Sequence, residues 1–149
     1  MSSPEGSTVT FRRTTPDFRR RPVERFARRL QDEVSKGQPF DCLIAGDADL
    51  RRLNLQFRGM DYPTDVLSFP AAAPAARLGD LAISLGRARA QARQFGHPIE
   101  HEVEILMLHG LLHLLGFDHE TDRGQMARAE KRWRTRLGLS TGLIERVRT

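Results

Sequence analysis

The sequence predicts an α+β fold, a small mixed β-sheet packed with several helices around one central, buried helix. Three observations predict it. Short runs with β-type alternation or apolar continuity recur in the first part of the chain, at "VTFRR", "FDCLIAG", "TDVLSFP" and "LGDLAIS". Between and after them lie stretches whose apolar residues repeat at helical spacing. One stretch, from Ile105 to Leu115, is apolar nearly all round, as expected of a helix in the middle of a domain. At 149 residues with 39% hydrophobic content the chain is long enough for one compact core, and 1–149 is read as a single domain.

Taken in order, "VTFRR" alternates as a short strand, and Val23, Phe26, Ala27, Leu30 and Val34 then recur helically until Gly37 ends the run. "FDCLIAG" is a strand, with Cys42 a small core residue. Asp47 is expected to N-cap a helix that presents Leu50, Leu53 and Phe57 on one side, with Gly59 close behind it. "TDVLSFP" and "LGDLAIS" are strands able to pair as a hairpin, and the low-complexity "AAAPAAR" between them is a loop. "GRARAQARQFG" is a helix closed by Gly96. His97-Pro98 opens the long central helix, and a last amphipathic helix carries Met126, Trp133 and Leu137.

Composition narrows the function. No run of eighteen apolar residues occurs and the amino terminus lacks a signal-peptide stretch, so a soluble, cytoplasmic protein without membrane contact is expected. Cys42 is the only cysteine, which excludes an internal disulfide and a thiolate-rich zinc site; any metal must be held by nitrogen and oxygen. The net charge of +5 is unevenly spread: residues 1–40 carry nine Arg/Lys against five acids, and 123–149 carry eight against two. Between Gly96 and Arg123 there are six acids and no Lys or Arg. Basic ends can hold an anionic polymer while a cation sits between them, although arginine-rich solvated helix faces would look the same.

The segment "LHGLLHLLGFDHE" packs three of the five histidines into an apolar setting. His109 and His113 are four apart, so on a helix they lie about 40° apart on one face and can share a single ion. His119 follows six residues later, and Gly116 can take the positive φ that ends the helix and turns the chain back towards them. Three buried imidazoles would each need a polar partner, whereas one cation satisfies all three. Three neutral imidazoles leave a fourth position open on zinc, the coordination of a catalytic site, although nickel, copper or iron would accept the same donors. One ion per chain is expected. Asp118, Glu120 and Glu104 are candidate carboxylates for orienting an imidazole, with Asp118 the first choice. His97 and His101 fall outside the spacing and are read as a turn residue and a helix-surface residue.

The spacing H-x-x-x-H-x-x-G-x-x-H also matches the long zinc motif of metzincin peptidases, so the expected fold is zincin-like with its metal ligands on the central helix. In those enzymes a glutamate follows the first histidine and is the general base. Here that position is Gly110. The metal geometry carries over and the reaction does not.

Two longer stretches go further. "HGLLHLLGFDH" resembles the signature H-G-x-L-H-L-x-G-[YF]-D-H of the YbeY family of bacterial rRNA-maturation endoribonucleases. "LNLQFRGMDYPTDVLSFP", Leu53 to Pro70, is similar to that family's L-N-x-x-[YF]-R-x-x-D-x-P-T-D-V-L-S-F-P. "LGDLAIS" and the "QMARAEKRW" helix follow in the family's order, so the resemblance covers about Cys42 to Leu139. It implies that His109, His113 and His119 are zinc ligands and that Arg58 is the arginine near the metal needed for RNA cleavage. Asp65, Ser68 and Asp80 also fall in family motifs and are read as structural. The implied activity is zinc-dependent, single-strand-specific endoribonucleolysis that matures the 3′ end of small-subunit rRNA, with a share in ribosome quality control. The implied partners are rRNA, the small ribosomal subunit and its assembly factors, including a Ras-like GTPase. A metal-containing assembly factor that binds rRNA without cutting it is the alternative, and a zinc peptidase a weaker one.

Overall fold

Alternation along the strands decides which side chains meet which layer. In the computed structural model, which describes residues 6–72, 77–118 and 121–139, the order is β1 (Thr8–Phe11), α1 (Arg20–Glu33), β2 (Asp41–Ala45), α2 (Asp47–Arg58), β3 (Val66–Pro70), β4 (Gly79–Ser84), α3 (Leu85–Phe95), α4 (Ile99–Leu114) and α5 (Gln125–Leu137). The four strands form one mixed sheet in the order β1-β2-β4-β3. β1, β2 and β4 are parallel, and β3 runs antiparallel to β4 along the edge. The predicted hairpin is therefore present, and residues 73–76 of its predicted loop lie outside the described residues.

On the inner face Cys42, Ile44, Leu81 and Ile83 join the main core with the apolar residues of α1 and α4. α4 packs against β3, β4, α1, α3 and α5, which is why its sequence shows no polar face through Leu108–Leu112. Leu106, Leu111 and Leu112 are fully buried, each contributing about 1.5–3 kcal/mol relative to exposure. The opposite face of the sheet carries Leu43, Ala45, Leu67, Phe69 and Ala82, partly covered by Leu50 and Leu53 of α2.

Two expectations need correction. The N-cap of α2 is Gly46, extended at φ −95° and ψ 171°, and Asp47 is the first helical residue. Asp49 reaches back to accept the Gly46 N–H at 3.2 Å, so the cap is made from the third helical position. His97 is more than a turn residue: its Nε2 lies 2.6 Å from Oε1 of the fully buried Glu102, giving that carboxylate a partner inside the domain. Its ring also meets that of His101, half-buried on the first turn of α4, at 4.9 Å.

Candidate active site

The central helix brings His109 and His113 onto one face, one turn apart, with ring centroids 4.9 Å apart and planes at 73°. His109 is buried, and its Nδ1 lies 2.9 Å from Oε2 of Glu130, itself 2% exposed on α5. A carboxylate at Nδ1 keeps the proton on that nitrogen and reserves Nε2 as a lone-pair donor. α4 stops at Leu114. Gly116, at φ 98°, adopts the left-handed conformation that ends the helix, donating its N–H to the His113 carbonyl at 3.0 Å, and Phe117 N–H returns to the Leu112 carbonyl at 3.1 Å. His119 and Glu120, beyond this turn, lie outside the described residues. Among the described residues no three His, Cys, Asp or Glu side chains converge as a complete metal cluster. The described part of the donor set fits a divalent metal: two imidazoles one turn apart, one of them backed by a buried carboxylate.

Arg58 enters from the other side. It is the last residue of α2 and exposed, and Gly59, at φ 71°, lets the chain leave the helix sharply behind it. Buried Asn54 donates to the Tyr62 carbonyl at 2.9 Å, and Arg51 grips Asp61 at 2.7 and 3.2 Å, so the turn after Arg58 is pinned to its own helix. Arg58, Asp65, Ser68, His109, His113 and Asp118 line one cleft of about 470 Å³. Asp65 accepts from Gln91 at 3.2 Å, tying β3 to α3, and Ser68 donates to the Gly110 carbonyl at 3.0 Å, tying β3 to α4. Both roles are structural, as expected, but both residues also face the cleft.

Gly110 is fixed by the sheet. A Cβ there would lie 2.9 Å from Leu81 Cδ2 and 3.2 Å from Val66 Cγ2, so a side chain at this position would require those two core residues to shift. The space next to the backbone that a peptidase glutamate would enter is filled by the Leu81 and Val66 side chains.

Of the expected orienting carboxylates, Asp118 lies in the cleft, whereas Glu104 faces away, among Arg25, Phe26, Arg29 and His101. Burial, with the nearby Glu100 charge adding to it, pushes the Glu104 carboxyl up to about 7. The carboxylate that does hold His109 is Glu130, which the sequence reading missed. The signal was an acid on the apolar stripe Met126, Glu130, Trp133 and Leu137 of α5. Asn54 was missed likewise, on the buried side of α2 beside Leu50.

Comparison with known proteins gives a consistent picture. The family model described as endoribonuclease YbeY matches residues 10–138. The endoribonuclease YbeY of Solibacter usitatus (strain Ellin6076) is 71% identical over 149 residues, the whole of both chains. That of Helicobacter pylori (strain ATCC 700392 / 26695) is 38% identical over 120 residues, 80% of this chain and 86% of the relative. Among solved structures, the solution structure of a Thermotoga maritima protein superposes with a TM-score of 0.58 at 27% identity, covering 85% of each chain.

Proposed function

The chain belongs to the endoribonuclease YbeY family, and on that premise we propose that it is a zinc-dependent, single-strand-specific endoribonuclease. Its work in this reading is maturation of the 3′ end of small-subunit rRNA in the cytoplasm, with a part in quality control of defective ribosomes. Its partners are rRNA, the small ribosomal subunit and assembly factors, a Ras-like GTPase among them. The observation that carries the reading is the meeting of Arg58 with His109 and His113 in one cleft.

His109, His113 and His119 would hold one zinc ion, which when bound supplies Lewis acidity to the attack on phosphorus. Glu130 keeps His109 in the ligating tautomer and orientation. Arg58 holds the phosphodiester through two parallel N–H donors and balances the charge that builds on its oxygens. Because Arg58 stands at a pinned helix end, the backbone that carries its guanidinium is fixed at the edge of the cleft before substrate arrives. Gly110 supports a phosphodiester rather than a peptide substrate, since it leaves no general base beside the first histidine.

The test is single-turnover cleavage of an rRNA fragment at saturating, ribonuclease-free protein, with and without chelator. Arg58→Ala should keep zinc content and thermal stability near wild type, because its side chain is exposed. Its cleavage rate should fall by about two to three powers of ten, and Arg58→Lys should recover only part. Cleavage by Arg58→Ala at the wild-type rate would remove the residue from the chemistry. Chelator-sensitive rRNA binding without any cleavage would instead favour an assembly factor.

A further inference from the structure

Next to the histidine cleft, the outer face of the sheet carries a second hollow of about 790 Å³ that shares Arg58, Ser68 and Pro70 with it. Leu43 and Ala82 lie beneath it, and Leu53 and Phe57 of α2 wall it. Phe57 is 59% exposed, an unusual place for a phenyl ring, and meets Phe69 with centroids 5.1 Å apart and planes at 60°. Phe69 is the direct cross-strand neighbour of Asp80, which stands opposite Asp41 on the next strand. The two carboxylates differ. Asp41 accepts from Arg77 at 2.6 and 2.9 Å and from Thr8, whereas among the described residues no donor hydrogen-bonds to Asp80. Desolvation, and after it the charge of Asp41, outweigh the attraction of the Arg77 charge and hold the Asp80 carboxyl above its ordinary value.

We propose that this hollow is a nucleobase subsite that seats a guanine beside the phosphate held by Arg58, stacked on the Phe57–Phe69 pair with its Watson–Crick edge on Asp80. The proposal rests on the reading of the chain as a single-strand nuclease. Exposed aromatic rings beside a phosphate-binding arginine are how proteins hold unpaired nucleotides. The hollow is continuous with the cleft through Arg58 itself, so one nucleotide can span the two, phosphate at the basic end and base at the acidic end. An ionised carboxylate only accepts. Guanine alone presents two adjacent donors, N1–H and the 2-amino group, to its two oxygens. Adenine and cytosine offer one amino group beside an acceptor nitrogen, and uracil one imino group between two carbonyls, so each sets a lone pair against the carboxylate.

The experiment measures equilibrium binding of labelled single-stranded uridine tracts carrying one central guanine, hypoxanthine, adenine or abasic site, with chelator present so that nothing is cut. Loss of the base should weaken binding about 5- to 150-fold, the effect of one base–aromatic stack. Hypoxanthine, which lacks only the 2-amino group, should bind about tenfold more weakly than guanine. Asp80→Asn should abolish the guanine preference, and Phe57→Ala should weaken all three bases while preserving it. Equal affinity for guanine, hypoxanthine and the abasic tract overturns the proposal, and this comparison on the unmodified protein decides even if a variant fails to fold. Self-association that Phe57→Ala abolishes, with no base dependence, would assign the face to a second copy instead. In parallel incubations of the metal-loaded protein without chelator, cleavage of the same tracts with binding that shows no base dependence sinks the subsite alone, and base-dependent binding with no cleavage leaves the subsite and sinks the nuclease reading.

Discussion

Glu130 and Glu104 are carboxylates on neighbouring helices with opposite circumstances. Glu130 is held by His109 at 2.9 Å, so Glu130→Gln keeps the shape but loses the charge that orients and polarises the ring. Zinc affinity should fall by about 10- to 100-fold, read by competition with a chromophoric chelator, without a matching loss of fold. Among the described residues Glu104 has no such partner in its half-buried setting, and its carboxyl is pushed up to about 7 against the ordinary 4.5. Between those two values the folded chain binds more protons than the unfolded one, so stability falls as pH rises through that window and the loss is complete above it. Glu104→Gln removes the loss, and its gain in melting temperature over wild type should be larger near pH 8 than near pH 5. The histidine pair was legible because helical spacing alone sets it. Glu104 misled as an orienting group because five residues along a helix is about 140° around it, which turns the side chain away from His109. Glu130 was hidden because its partner depends on how α5 docks, which no local pattern contains.

At the level of elements, Ser84 joins three of them. It ends β4, accepts the Arg87 N–H at 3.2 Å as the N-cap of α3, and donates to Asp47 at the start of α2. Ser84→Ala should cost about 0.5–2 kcal/mol from the cap, with the released Asp47 adding to it, measured by urea denaturation at neutral pH. Helix ends were readable where glycine closes them, as at Gly59 and Gly96, because their left-handed backbone leaves a residue-level mark. The start of α2 was misassigned by one residue because Asp47 and Asp49 both suit a first turn, and only the bond from Gly46 shows which of them caps. Strand order was out of reach: β4 lying between β2 and β3 is a long-range pairing that strand periodicity does not express.

For the whole molecule, part of the basic charge stays exposed after folding: Arg128, Arg132 and Arg136 lie on the outer side of α5, with Arg136 and Lys36 also near the Trp133 ring. If this face neutralises phosphates, log affinity for rRNA falls linearly with log salt, and charge reversal at those three arginines should flatten the slope measured between about 50 and 200 mM salt. An unchanged slope would mean a solvated face only. No helix among the described residues is long and apolar enough to cross a membrane. The close seating of Gly110 against Leu81 and Val66 bears on chemistry as well as packing. A glutamate at position 110 would have to displace the Leu81 and Val66 methyls first, so the change to peptide hydrolysis asks for repacking of the core as well as a new carboxylate. Two chemistries that share one histidine spacing are separated here by a missing side chain and by the packing that fills its place.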